Sequence, residues 1–347
     1  MHILKGYTKQ EISWMMYDWA NSAHSVIIVT LLPIFFDTVA GYTADSVSSM
    51  STWGYATSIA MLIVALAAPF LGVFGDIRGM RKKLFRFFML LGVAACAGMA
   101  FTPGMDFTSG PVAAGKVASL ILVLYIVSVI GFDASAIYYD AFLTDVTTED
   151  RMDKVSTMGY GLGYIGGSTI PLLIFLIMNL VGVPMLTCLA FVFGLTAVWW
   201  LAFSLPLLKN CEQTSGKPYE KGDVARSIKG VGTTIKEIIA NKPMLIYILS
   251  YFFYIDGVHT VISMATTYGT NLGLDSTGMM LALLLVQILG LPFCLLYIKC
   301  SEKFGARTMV GFGICVYMFI CIFAFFMNSL WQFWMLAVLC ATSQGGI

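Results

Sequence analysis

Long apolar runs separated by short polar segments dominate the chain. Ten runs approach the roughly 20 apolar residues that a helix needs to cross a bilayer. They lie near 12–36, 52–74, 84–103, 118–139, 157–180, 185–207, 244–266, 278–298, 309–327 and 331–347. The chain is 59% hydrophobic and 11% charged, whereas a soluble domain is about 25% charged. The sequence therefore predicts an all-α membrane protein with about ten transmembrane helices.

Basic residues follow this layout in a regular way. With a cytoplasmic N-terminus, Lys116 falls on the outer side and every other Lys and Arg falls in a cytoplasmic segment, as the positive-inside rule requires. We therefore expect a multi-pass protein with a cytoplasmic N-terminus in a bacterial plasma membrane, or in the vacuolar membrane if the source is eukaryotic. The surroundings are then a lipid bilayer. The net charge of +1 gives no reason to expect a nucleic acid as a partner.

The longest polar stretch, 208–242, lies between the sixth and seventh runs. Its second part has apolar residues at helical spacing, which predicts an amphipathic helix; they are Val224, Ile228, Val231, Ile235 and Ile238. Such a helix either lies on the cytoplasmic membrane face or is a solvated linker, and the sequence leaves both open. The stretch divides the chain into a six-helix bundle over 1–207, a linker over 208–242 and an incomplete bundle of about four helices over 243–347.

The second bundle repeats a polar motif of the first. After the second run, Asp76, Gly79 and Arg81 have the spacing acid-x-x-Gly-x-Arg, which recurs after the eighth run in Glu302, Gly305 and Arg307. Because both copies hold the same position in their bundles, we expect two parallel six-helix repeats related by an axis along the membrane normal. Acidic and basic groups at helix ends can lock neighbouring helices together. We interpret these residues as a cytoplasmic gate, with Asp140 at the end of the fourth run.

Ionisable residues inside apolar runs are costly in a membrane and therefore mark candidate sites. The first and seventh runs each contain an Asn/Asp-x-x-His pair, Asn21 with His24 and Asp256 with His259. We predict that the two pairs face each other across a central cavity, and Asp133 is a further candidate in the fourth run. Lys and Arg occur only at the ends of the runs or outside them. Such a cavity suits a cationic or ammonium-bearing solute, or protons.

Two hydroxyl residues extend the seventh-run pair along one helical face. Thr260 and Ser263 follow Asp256 at i+4 and i+7, with His259 at i+3, so the four side chains form one polar stripe. The stripe either lines the cavity or hydrogen-bonds this helix to its neighbours.

Several segments resemble a known superfamily of transporters. The loop at 72–83 is similar to the signature between the second and third helices of the major facilitators, although Ile77 and Met80 depart from it. Segments 17–23, 139–143, 159–167 and 251–258 resemble the branch of major facilitators related to the autophagy-linked vacuolar amino-acid effluxers. The resemblance implies the major facilitator fold and efflux of amino acids or similar small solutes. Members of that branch usually continue for further helices, so we expect the chain to be truncated at its C-terminus.

Together these features predict a secondary active transporter that moves a small solute by alternating access, with protons as a candidate coupling ion. The alternative is a non-transporting receptor or sensor on a transporter fold, which would bind a ligand without solute flux. The histidines form no HExxH pattern, and neither a GxSxG motif nor a phosphate-binding loop occurs. We therefore expect no enzymatic activity, no metal site and no cofactor, and we expect a monomer.

Overall fold

The computed structural model describes residues 6–43, 49–218 and 223–344. Over these residues the chain consists of α-helices joined by short loops, 3-10 turns and one π-helical turn. The helices are α1 (Lys9–Ala40), α2 (Ser49–Gly75), α3 (Arg81–Met99), α4 (Pro111–Val146), α5 (Met152–Leu162), α6 (Thr169–Leu180), α7 (Met185–Asn210), α8 (Asp223–Ala240), α9 (Lys242–Asn271), α10 (Ser276–Phe304), α11 (Ala306–Phe325) and α12 (Leu330–Gln344).

Each predicted apolar run overlaps at least one of these helices. Within the described ranges, eight stretches are long and apolar enough to cross a membrane, and they match predicted runs one to seven and nine. The eighth and tenth runs match α10 and α12, in which the described apolar stretches are Ser276–Gly290 and Leu330–Ser343. The chain is therefore a multi-pass α-helical membrane protein, and the count of ten spans stays a prediction.

Local capping chemistry explains where several helices begin. Thr8 precedes α1 and forms a reciprocal capping box with Glu11, in which each side chain binds the other residue's backbone N–H. α4 begins at Pro111, which has no backbone N–H to leave unpaired. The Asn241 side chain caps α9 by accepting a hydrogen bond from the backbone N–H of Met244. These caps satisfy backbone groups that a helix end would otherwise leave without partners.

The predicted fifth run, 157–180, is not one regular helix. A π-helical turn, Gly163–Ser168, interrupts it between α5 and α6. The turn lies in a glycine-rich stretch that packs directly on α1. A methyl group at Gly166 would overlap the ring of Trp19, and one at Gly159 would overlap the carboxylate of Asp18. Glycine is thus needed here because the two helices approach each other closely.

Two apolar cores divide the chain. The first lies mainly among α1 to α7, is joined by Met280 and Leu284 of α10, and contains large buried aromatic side chains such as Tyr17, Phe85 and Trp200. The second lies among α9 to α12 and contains Tyr317 and Phe333. We call the helices around these cores the first and second bundles. α8 comes between them in sequence and is the predicted amphipathic helix.

Candidate functional site

A cavity of about 430 Å³ lies between the two bundles. The middle of α1 forms one wall with Ser25, Val29 and Thr30, and α9 to α12 form the rest, including Thr260 of α9 and Gln287 of α10. Its volume falls within the roughly 300–1,000 Å³ that is typical of small-molecule sites. The interface between the bundles therefore has room for a small solute.

The two bundles contact each other next to the cavity, toward one side of the membrane. We call the side at which α1 begins the inner side and the opposite side the outer side. At the outer edge of the cavity, the Thr266 hydroxyl of α9 donates a hydrogen bond of 3.0 Å to the backbone oxygen of Val29 in α1. Thr266, Thr267 and Gly269 are all buried. Packing therefore closes the outer end of the interface between α1 and α9.

The inner half of α9 is open by comparison. Tyr247, Phe252 and Phe253 have 70%, 58% and 70% of their surface exposed. Asp256 and His259, which follow toward the cavity, are also exposed. α9 is thus packed against α1 at its outer end and uncovered at its inner end.

The polar stripe of α9 lies partly on the cavity. Thr260 lines the cavity, and the Ser263 hydroxyl lies 3.4 Å from the Thr260 backbone oxygen. Asp256 precedes Thr260 by four residues, which is about 6 Å of helix rise toward the inner side. Of the four residues of the stripe, Thr260 therefore lines the cavity, whereas Asp256, His259 and Ser263 do not.

The predicted partners of these groups in α1 point elsewhere. His24 is 3% exposed, stacks on Phe132 of α4 with ring centroids 4.8 Å apart, and lies 5.0 Å from the ring of Trp200 in α7. Neither of its ring nitrogens has a hydrogen-bond partner among the described residues. Asn21 is buried too and does not line the cavity. The prediction that these two residues face α9 across the cavity is wrong, because the side of α1 that carries His24 packs inside the first bundle.

The acidic residues of α4 occupy different surroundings. Asp133 is partly buried, and one of its carboxylate oxygens is buried without a hydrogen-bond partner in the described part of the chain. Asp140, seven residues further on, is exposed. Asp133 therefore remains a candidate for binding a proton or a solute group.

The acid-x-x-Gly-x-Arg motif of the first bundle forms a network at the inner side. Arg81 is 4% exposed, and its guanidinium forms a close ion pair with Asp145 at the end of α4. It also donates to the backbone oxygen of Ala141 at 3.0 Å and lies 3.9 Å from the carboxylate of Asp76, whose side chain is 79% exposed. Asp145, which the sequence analysis missed, is thus the main partner of Arg81, and Asp76 is a weak one.

The chain that follows α7 ties this network together. Asp145 accepts hydrogen bonds from the backbone N–H and hydroxyl groups of Thr214 and Ser215 at 2.7–3.1 Å. The Gln213 side chain accepts from the backbone N–H of Gly79 at 2.8 Å and donates to the backbone oxygen of Gly75 at 3.0 Å. Gly79 has φ +80°, which glycine adopts without strain. The first part of the predicted linker therefore belongs to the inner face of the first bundle.

The second copy of the motif is seen in part. Gly305 has φ +84°, close to that of Gly79, and directly precedes α11. Arg307 is exposed. The side chain of Glu302 lies outside the described residues. The two glycines thus both have a positive φ before the third helix of each bundle.

A second ion pair at the inner side joins the beginning of α1 to the loop before α5. Arg151 donates to both carboxylate oxygens of Glu11 at 2.9 Å, and the Thr147 hydroxyl donates to the same carboxylate at 2.7 Å. The hydrogen bonds to Glu11 raise the pKa of Arg151 further above its ordinary value. The sequence analysis also missed this pair, although Glu11 has a recognisable signal as the acidic member of a capping box.

Comparison with known proteins identifies the family. The model of the family described as "Vacuole effluxer Atg22 like" matches residues 39–152 and 144–347. The chain belongs to the Atg22-like vacuole effluxer family. It is 40% identical over 353 residues to the uncharacterized MFS-type transporter YxiO of Bacillus subtilis, covering 99% of this chain and 80% of that protein. It is 24% identical over 177 residues to autophagy-related protein 22-1 of Penicillium rubens, covering 48% of this chain and 30% of that protein.

Solved structures of transporters share the fold of this Atg22-like chain. The D-xylose-proton symporter superimposes with a TM-score of 0.57 at 15% identity, over 97% of this chain and 80% of that one. A bacterial homologue of the human lysosomal transporter Spinster superimposes with a TM-score of 0.63 at 14% identity, over 97% and 72%. The resemblance to the major facilitators that the sequence implies is therefore confirmed, and the homologues are transporters.

Proposed function

We propose that this Atg22-like chain is a secondary active transporter that moves a small solute by alternating access. The observation that carries the proposal is the cavity of about 430 Å³ between the two bundles. A site between two bundles becomes accessible from either side when one bundle rocks against the other. The outer end of the interface is closed by Thr266 against Val29, and the inner half of α9 is uncovered. We assign this arrangement to an inward-open state.

The proposed architecture is two parallel six-helix repeats, of which this chain contributes about ten spans. Its divisions are 1–207, 208–242 and 243–347. The similar positive φ angles of Gly79 and Gly305 support the repeat.

We propose that Asp76, Gly79 and Arg81 form the first-bundle half of a cytoplasmic gate, in which Asp145 holds Arg81 in place. Its proposed counterpart in the second bundle is Glu302, Gly305 and Arg307, with Asp140 at the end of α4 as a further gate residue.

The proposed solute is an amino acid or a similar small molecule, and the direction of transport is efflux. The family name supports efflux, and the resemblance of several segments to the autophagy-linked vacuolar amino-acid effluxers is the ground for the solute. Protons are the proposed coupling ion, with Asp133 and Asp256 as their binding groups, because both carboxylates lie on membrane-spanning helices without a cation partner among the described residues. We propose a monomer in the plasma membrane with a cytoplasmic N-terminus, which the distribution of Lys and Arg supports.

A transport screen with an internal lock tests the proposal. Purified protein in proteoliposomes is assayed for flux of labelled amino acids, peptides and amines. In a second sample, Val29→Cys and Thr266→Cys are bridged by a short bifunctional thiol reagent, which should hold α9 against α1. We expect flux in the unbridged protein and its loss on bridging, with reagent-treated wild type as the control. Saturable binding without flux of any solute would instead support the receptor alternative.

A further inference from the structure

The amphipathic helix α8 carries apolar side chains that the rest of the chain leaves uncovered. Ile235 and Ile239 lie one helical turn apart and have 48% and 59% of their surface exposed. Val231 and Ile238 lie on the same side of the helix and are half-buried. We call these four residues the apolar stripe of α8. Neighbouring exposed isoleucines are unfavourable in water and mark a surface that another apolar phase covers.

The chain on both sides of α8 is fixed at the inner side of the protein. Before α8, the backbone of Lys217 hydrogen-bonds with that of Asp76 and Arg78 in the first bundle, at 3.0 Å each, and only residues 218–222 lie between Lys217 and the helix. After α8, Asn241 alone separates it from α9 and caps α9 through its side chain. α9 is long and apolar enough to cross the membrane, so its first residues mark the inner surface of the bilayer.

α8 therefore runs close to that surface and connects the two bundles. Its 18 residues extend over about 27 Å, and it contacts both α2 of the first bundle and α9 of the second. Ile239 precedes the first residue of α9 by only three positions. An exposed isoleucine in this place is within reach of the lipid and needs no protein partner to leave water.

The charged residues around the stripe fit a phospholipid surface. Basic residues outnumber acidic ones by seven to four in the stretch 208–242. Lys236 is exposed and precedes Ile239 by three residues, which places it about 60° around the helix from Ile239. A lysine at the edge of an apolar face can keep its stem at the lipid boundary while its ammonium reaches a phosphate. Thr233 and Glu237, on the opposite side, are exposed as well and would stay in water.

We propose that α8 lies in the headgroup region of the inner leaflet, with Ile235 and Ile239 inserted toward the acyl chains and Lys236 at the lipid phosphates. The apolar stripe then leaves water, whereas in a solvated linker it would stay there. The inference goes beyond the proposed function, because it depends on the place of α8 in the fold and not on transport.

Fluorescence quenching from the two sides of the interface tests the proposal. The full chain is reconstituted in nanodiscs of phosphatidylethanolamine and phosphatidylglycerol that hold one copy each, so a second copy cannot cover the stripe. An environment-sensitive fluorescent amino acid replaces Ile235 or Ile239 in separate samples. Matched controls carry it in place of Thr233 or Glu237 on the opposite side of α8. Lipids brominated in their acyl chains quench a probe in the membrane, and aqueous iodide quenches a probe in water.

We expect brominated lipid to quench the probe at Ile235 and Ile239 strongly and iodide to quench it weakly, with the reverse at Thr233 and Glu237. With the probe at Ile235, Ile239→Asp should shift the ratio of membrane-bound to free α8 about tenfold or more toward the free form. Lys236→Gln should shift this ratio about fivefold in the same direction, because one lysine near an anionic surface is lost. Thr233→Asp is the matched control on the opposite side and should leave the ratio unchanged.

Three results would overturn the proposal. If iodide quenches the probe equally at every position, α8 is a solvated linker. If neither quencher reaches the probe at Ile235 and Ile239, a protein surface and not lipid covers the stripe. If Ile239→Asp leaves lipid quenching at Ile235 unchanged, the apolar stripe is not what holds α8 at the membrane. The readout needs no solute flux, so a failed transport screen would leave the result on α8 in place.

Discussion

Removal of the Asp145 carboxylate should destabilise the first bundle far more than removal of the Asp76 carboxylate, although both acids are partners of Arg81. Asp145 accepts hydrogen bonds from Thr214 and Ser215 and pairs closely with a guanidinium whose side chain is 5% exposed, and its own side chain is fully buried. Asp145→Ala leaves that guanidinium without its main counter-charge. Breaking a buried ion pair in this way costs about 3–5 kcal/mol.

Asp76 provides a matched control on the same arginine. Its side chain is 79% exposed and 3.9 Å from the guanidinium, and exposed pairs of this kind contribute about 0–1 kcal/mol. One kcal/mol corresponds to a shift of about 2–4 °C in a unit of 150–250 residues. We therefore expect the unfolding temperature to fall by roughly 6–20 °C for Asp145→Ala and by at most about 4 °C for Asp76→Ala.

The assay is tryptophan fluorescence of purified protein in detergent, heated at one fixed scan rate because membrane proteins often unfold irreversibly. Size-exclusion chromatography before heating establishes that each variant is folded and monodisperse. The unfolding temperature of the double variant Arg81→Met, Asp145→Ala should fall by less than the sum of the falls in the two single variants. Once Arg81 has been replaced, Asp145 no longer has its counter-charge, so its removal breaks no ion pair. Equal shifts for Asp145→Ala and Asp76→Ala, or additive effects in the double variant, would refute the assignment of Asp145 as the main partner of Arg81.

Three further predictions test other parts of the structure. Gly166→Ala should lower the free energy of unfolding by about 1–3 kcal/mol, because the added methyl overlaps the Trp19 ring. Gly311→Ala is the control: its methyl would lie in open space, so it should not lower the unfolding temperature. Glu11→Gln should lower the free energy of unfolding by about 1.5–3 kcal/mol, because a neutral amide makes weaker hydrogen bonds with the Arg151 guanidinium than the carboxylate does. An unchanged unfolding temperature would contradict this. Cys211 is fully buried, and burial raises the pKa of its thiol to about 12. Its alkylation at pH 8 should therefore be far slower than that of exposed Cys315, and it should become faster as the pH rises toward 12. Equal alkylation rates of the two thiols at pH 8, measured by mass spectrometry, would disprove the burial of Cys211.

The sequence by itself determined the elements of this protein. A helix that crosses a bilayer is recognised from about 20 consecutive residues, so each apolar run could be read without reference to any other. The amphipathic spacing in 224–238 is local in the same way, and α8 is found there. The acid-x-x-Gly-x-Arg motif likewise marked Gly79 and Gly305, both of which have the positive φ that glycine permits.

Only the tertiary structure decided which side chains meet. His24 and Thr260 both lie on polar faces of apolar helices, yet His24 packs against Phe132 inside the first bundle and Thr260 lines the cavity. Helical spacing tells which residues share a face, whereas packing against the neighbouring helices sets the direction of that face. Gln287 is the lone amide of its run, which the sequence analysis did not single out, and its position on the cavity depends on how α10 is rotated.

The inner network depended on the tertiary structure for the same reason. Arg81 meets Asp145 across 64 residues of chain and Ser215 across 134. Three acids lay close enough to the inner side to be its partner, and nothing in their local sequence ranks Asp145 above Asp76 or Asp140. The folded chain ranks them by burial, because an ion pair shielded from water is the one whose loss leaves an uncompensated charge.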